Sequence, residues 1–268
     1  NMTTTLDRPR GVVIIEQVAT LARRSVVNTW RQPAAWTPSI IFPLMMAAIY
    51  SAQFERVTEL PQFPQVDSFL QFILPATILQ GISFNAGEAG SALATDIETG
   101  FFDRLMASPV GRQSVLVGRL AGAAAFSALL AAVLMGIFVL FGAKPEGGFA
   151  SALAIVGIAA ALSLSIGGIS VAVALWTGSP EATQAVFPLT FIAIFVSSAF
   201  FPTEMMSGWY KTAAEANPFT LIIDPTRRLA IDGFSFTDVG QALFWIAVIG
   251  VFTLGVAYRA YLARLRRS

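Results

Sequence analysis

Six stretches of this chain, at about 36–54, 68–93, 115–142, 150–178, 184–201 and 239–262, are apolar for close to the roughly 20 residues a helix needs to cross a bilayer core. Nothing else in the sequence constrains the fold as strongly. In hydrocarbon every backbone N–H and C=O must find its partner inside the segment, so runs of this length fold as helices. The expected fold class is all-α, an integral membrane protein with six transmembrane helices in a single domain over residues 1–268. Only 12% of the residues are charged, about half the share of an ordinary soluble domain.

Charge sets the orientation. With both termini cytoplasmic, Arg8, Arg10, Arg23, Arg24, Arg31, Arg104, Arg112, Arg119, Arg259, Arg264, Arg266 and Arg267 fall on the inner side. Only Arg56, Lys144, Lys211, Arg227 and Arg228 fall outside. Twelve against five is the asymmetry the positive-inside rule describes, and an even number of spans satisfies it.

Two amphipathic segments flank these spans. Residues 12–32 place Glu16, Gln17, Thr20, Arg23, Arg24, Asn28 and Arg31 on one helical face, with Ile15, Val18, Ala22, Val26 and Trp30 on the other. Such an elbow helix is expected in the headgroup layer, with Arg23 and Arg24 towards anionic lipid and Trp30 at the boundary. The second segment, Thr95 to Arg112, is a charged island between spans two and three. As a helix it gathers Phe101, Phe102, Leu105 and Met106 in one arc, opposite Asp103, Arg104, Ala107 and Ser108, and Pro109 ends it. A short helix with a bare aromatic face calls for a soluble partner to dock against.

The stretch 202–238 is too polar to span and too apolar for a free loop. Short re-entrant helices in the outer leaflet fit it, with Trp209 and Tyr210 as interface anchors. Glu88 is the one acid within a span. Its cost in hydrocarbon, roughly 2.5–3.5 kcal/mol, asks it to face protein or water. It reads either as a gate or substrate contact or as a carboxylate paired with a neighbour such as Arg119. The Gly118/Gly122 pair and Gly157, Gly167 and Gly168 mark close helix packing, and Pro43, Pro75 and Pro188 mark kinks.

Several chemistries are excluded. With no Cys and no His, thiolate and imidazole metal sites, disulfides and Ser–His catalysis are all ruled out. The only lysines, Lys144 and Lys211, do not follow glycine, so there is no phosphate-binding loop. Gly81-Ile82-Ser83 and Gly168-Ile169-Ser170 lack a base to activate the serine and read as packing. No cleavable signal is expected, since the first apolar run starts only near Trp36.

Three ordered features resemble the permease subunits of ABC type-2 transporters, especially the daunorubicin/doxorubicin-resistance branch. An amphipathic elbow precedes span one. Asp96, Glu98, Gly100, Asp103, Arg104, Leu105, Pro109 and Val110 form a D-x-E-x-G-x-x-D-R-L-x-x-x-P-V segment after span two. Phe201, Pro202, Glu204, Met206, Gly208, Trp209, Asn217 and Pro218 form the segment after span five, trailed by Arg227 and Arg228. Departures at Ser207, Met106 and Ala107 leave the substrate group open.

The resemblance implies an export permease for hydrophobic or amphiphilic molecules in the bacterial plasma membrane, not itself an enzyme. It implies a separate ATP-binding subunit, which holds ATP and Mg, and a second permease copy or related chain; this chain would bind no cofactor, and no nucleic-acid partner is expected. Residues 98–108 would be the coupling helix, engaging the ATPase through Glu98, Gly100, Phe101, Phe102, Arg104, Leu105 and Met106. Phe201 and Trp209 would cap the exit, with Glu88 a further gate or substrate contact. The other readings are an ion-coupled carrier, for which only Glu88 offers a site, and a non-transporting scaffold.

Overall fold

A computed structural model describes residues 10–106 and 112–265 of the chain, and every regular element among them is helical. The chain opens with α1 (Arg10–Trp30) and α2 (Pro33–Phe54), joined by a two-residue turn. Pro33 starts α2 where its missing N–H is not needed. The Trp30 and Trp36 rings stack across the turn at 5.3 Å.

The central helix is α3 (Phe69–Glu98), capped by Ser68, whose hydroxyl accepts from the Gln71 N–H at 3.2 Å. It is enclosed by α2, α5 (Arg112–Leu140), α6 (Gly148–Thr177) and α10 (Thr220–Ile231). That enclosure explains its composition: Gln71, Thr77, Gln80, Ser83 and Asn85 are buried in it, facing protein rather than lipid. The last long helix, α11 (Phe236–Leu265), packs on α6, with Gly168 against Thr253 and Gly250 against the Ser165 hydroxyl. Its far side exposes Phe244, Val251 and Phe252. Exposed rows of this size belong to a chain surrounded by hydrocarbon.

Span five departs from the expected helix over 184–201, kinked at Pro188, by breaking outright. It is α7 (Pro180–Gln184) and α8 (Val186–Phe195), broken at Ala185, after which the chain turns irregularly through Phe201. Pro188 is the cause, for in an unbroken helix it would leave the Gln184 carbonyl unpaired and clash with it. Among the described residues five helices are therefore long and apolar enough to cross a bilayer, and Pro180–Phe195 is a shorter sixth. The chain still traverses the bundle here. Gly178, beside Ile97, lies at the α4 end (α4 is Phe101–Met106), whereas Phe201 meets Phe54 and Phe69 at the opposite, α10 end.

Six traverses place both described chain ends together. Arg24 of α1 sits over Phe101, and Arg264 near the end of α11 donates to the Leu175 carbonyl at 3.1 Å, both at the α4 end. The outer stretch folds as a turn at Thr203–Met205, α9 (Gly208–Glu215) and the buried α10.

Candidate functional site

The α4 end carries the charged island. Glu98 is the last residue of α3, so the predicted coupling helix over 98–108 is divided: Gly100, at φ +67°, turns the chain before α4 begins at Phe101. An L-residue at that angle is strained, which accounts for glycine there. The side chains of Leu105 and Met106 and all of residues 107–111 lie outside the described residues.

The aromatic face is not bare. Phe102 is 3% exposed and packs in a cluster with Leu93, Ile97, Val171, Leu175 and Tyr261. It is a rivet holding α4 to α3, α6 and α11, not a group free to enter a partner. Its neighbours lie 69 to 159 residues further on in α6 and α11, where no local pattern reveals them. Phe101 is half-buried, with the Arg24 guanidinium 5.4 Å from its ring centre, and Arg104 is exposed. Beside them Arg119 of α5 forms an ion pair with Asp96 of α3.

The elbow helix α1 has a protein partner as well as its exposed Arg23, Arg24 and Trp30. Gly122 of α5 lets it approach so closely that a Cβ there would meet Ser25 Cβ at 2.6 Å and the Ala22 carbonyl oxygen at 2.9 Å. Gly122 of the Gly118/Gly122 pair thus serves the elbow. Between α1, α3, α4 and α5 lies a cavity of about 350 Å3, lined among others by Glu88, Asn85, Asn28 and Gln32. Glu88 has no hydrogen-bond or ion-pair partner among the described residues, and its expected neighbour Arg119 is taken by Asp96, two turns further along α3.

One turn before Glu88, Phe84 starts a band of half-buried rings along α2, α3 and α8. Phe84 and Phe187 lie 4.1 Å apart, Phe191 and Phe195 4.4 Å, Phe195 and Phe200 4.7 Å, and Phe54 and Phe201 5.0 Å. The three residues singled out as gates are not brought together. Glu88 is near one end of the band and Phe201 at the other, while Trp209 is 77% exposed on α9.

At the α10 end a group of polar residues closes the break after α8. Asn217 donates to the Ala193 and Val196 carbonyls at 2.6 Å, capping α8, and its own oxygen accepts from the Phe219 N–H at 2.9 Å. Arg227 is 6% exposed; it donates to the Ala199 carbonyl at 3.0 Å, to Ser198, to the Phe72 carbonyl at 3.3 Å and to Asp224 at 3.1 Å. Its guanidinium lies 4.0 Å from the Phe72 ring centre. Sequence reasoning counted Arg227 as an outer charge and as a residue trailing the segment after span five, and missed that it is buried. The Asp-x-x-Arg spacing on one helical face was the available signal.

With this geometry in hand, comparison with known proteins decides the family. The model of the ABC-2 type transporter family matches residues 16–230. The chain belongs to that family. This permease is 27% identical over 209 residues to the daunorubicin resistance ABC transporter permease protein DrrB1 of Streptomyces coeruleorubidus, covering 76% of this chain and 70% of that protein. It is 26% identical over 196 residues to DrrC of Mycobacterium tuberculosis, named as a probable doxorubicin resistance ABC transporter permease protein, covering 72% and 71%. It is a multi-pass membrane permease, a transport component rather than an enzyme.

Proposed function

We propose that this permease exports a hydrophobic or amphiphilic molecule across the bacterial plasma membrane, driven by ATP hydrolysis in a separate ATP-binding subunit. The observation that carries this reading is the aromatic band from Phe84 to Phe201, a half-open apolar wall running from the middle of α3 to the α10 end. Its edges on α2 and α8 expose Ile41, Met45, Leu189 and Ile192. A second permease, identical or related, placed against those edges would close the wall into a pathway. The α4 end then faces the cytoplasm, as the arginine distribution requires.

Docking of the ATP-binding subunit falls to the accessible part of α4 and its surroundings, Phe101 and Arg104, with Glu98 and Gly100 beside them. Phe102, riveted to α6 and α11, passes the movement into the bundle. Closure of two ATP-binding subunits would rock α4, α3 and the elbow together and switch access between the two sides.

Phe101→Glu tests this assignment. A carboxylate at 101 lies beside Arg24, so the fold and membrane insertion are retained. Removing an aromatic anchor from a docking interface costs about 2 kcal/mol, roughly 30-fold in affinity. Wild-type permease is expected to co-purify with its ATP-binding subunit and to support ATPase activity that the variant loses. Full ATPase activity in the variant would move the docking site off Phe101.

A further inference from the structure

The buried apolar side chains form two cores rather than one. The larger ends on α3 at Ala86, on α6 at Ile166 and on α11 at Ile246. The smaller, at the α4 end, begins on the same helices at Leu93, Val171 and Ala257 and takes in Phe102 of α4. Between the two lies a seam at one level of the bundle. It is crossed by Gly87 and Gly90 on α3, Gly168 and Ser170 on α6, and Thr253 and Gly255 on α11.

Side chains do not interlock across this seam. Gly90 rests on the Ser170 backbone, and Gly168 on the backbone of Thr253 and Leu254. Helices that touch through glycine meet as smooth surfaces, whereas interdigitated side chains resist a tilt of one helix on another. The backbone is softened at the same level. The Thr253 hydroxyl donates to the Gly250 carbonyl at 3.2 Å, a side-chain bond of the kind that bends helices. A Cβ at Gly87 or Gly255 would meet nothing within 4 Å, so neither glycine is there to admit a neighbour. What glycine gives those two positions is backbone freedom. Space to move lies alongside, for the elbow cavity of about 350 Å3 borders α3 from Glu88 to Asp96. Beyond the seam the pieces are tied together. Phe102 is held among side chains of α3, α6 and α11, and Arg264 joins α11 to the Leu175 carbonyl of α6.

We infer that α4 and the adjoining ends of α3, α6 and α11 pivot as one body on the rest of the bundle at this seam. This rests on the export reading and deepens it by naming where the bundle gives when α4 is rocked. The pivot belongs to the helices themselves, so it is present in the permease alone.

The test uses spin-label distances in lipid nanodiscs, with doubly labelled chain diluted in unlabelled chain. The chain has no cysteine, so each introduced pair reports alone. Leu129→Cys on α5 is the common reference, paired with Phe244→Cys or Leu262→Cys, nine residues before and after Thr253 on α11. All three sites are exposed. A tilt of about 15° acting over those nine residues, roughly 14 Å of helix, displaces the label by about 3 Å. The 129–262 distribution is therefore expected to be about 3 Å broader than the 129–244 one. A pair within the moving body, Trp176→Cys with Leu262→Cys, should be as narrow as 129–244. Gly87→Ala with Gly255→Ala should narrow the 129–262 distribution. Gly157→Ala with Gly240→Ala, where a Cβ also meets nothing within 4 Å, should leave it broad. Equal widths for 129–262 and 129–244, or equal effects of the two alanine pairs, overturn the inference. A broad 176–262 distribution does the same, since it would show a fraying helix end and not a moving body. Neither ATP nor a second subunit enters the measurement, so failure here leaves ATP-driven export standing, and failure of export leaves this result standing.

Discussion

Arg227→Ala is expected to lower the thermal midpoint of the detergent-solubilised permease by about 10 °C, corresponding to about 3 kcal/mol for a chain of this size. The guanidinium ties together three pieces that nothing local joins: the turn at Ser198 and Ala199, the start of α3 at Phe72, and Asp224 on its own helix. Alanine leaves three carbonyls short of a donor and Asp224 with only the Ser198 hydroxyl, and removes the cation from the Phe72 ring. Lysine keeps the charge but cannot form the planar fork, so it recovers only part of the loss. Arg228 is the internal control. Its pair with Asp238 at 2.7 Å is partly exposed, and Arg228→Ala should cost under about 1 kcal/mol. Equal shifts for the two arginines, followed by thermal unfolding on size exclusion, would remove Arg227 from the role of closing the broken span.

The second large effect concerns two glycines one turn apart on α3. A Cβ at Gly90 would lie 2.4 Å from the Ser170 carbonyl oxygen and 2.5 Å from its carbon, backbone atoms of α6 that no rotamer can move away. Gly90→Ala must push α3 and α6 apart and is expected to cost about 2 kcal/mol, and more in a larger residue. At Gly87 a Cβ meets nothing within 4 Å. Gly87→Ala should be neutral or slightly stabilising, since alanine is the better helix former. Midpoints measured on the pair check this directly, and matched losses would contradict the packing of α3 on α6.

These cases show where the sequence was readable and where it was not. The long spans were legible because length and apolarity alone determine a bilayer-crossing helix. Asn217 and the run around Phe201 were legible as a motif, but what they hold together was not. The carbonyls that Asn217 caps become orphans only because α8 stops at Phe195. Pro188 was visible as a kink, yet whether a proline bends a helix or breaks it depends on what receives the freed groups. Phe102 fell on the same arc as Phe101, and a helical wheel cannot tell which of two rings an adjoining helix will cover. Glu88 lost its expected partner for a similar reason. Arg119 has two acids along α3 to choose from, and the spacing of α3 against α5 favours Asp96.

Transport itself, in inside-out vesicles holding the permease with its ATP-binding subunit, is the most direct measurement of ATP-driven export. A fluorescent amphiphile is offered outside, and its uptake is followed with ATP, with ATP and vanadate, and with ATP and a protonophore. Uptake that needs ATP, stops with vanadate and survives the protonophore is the predicted result. Uptake that collapses with the protonophore while ATP remains, or that proceeds without ATP, would contradict an ATP-driven exporter and return the role of Glu88 to an ion-coupled carrier.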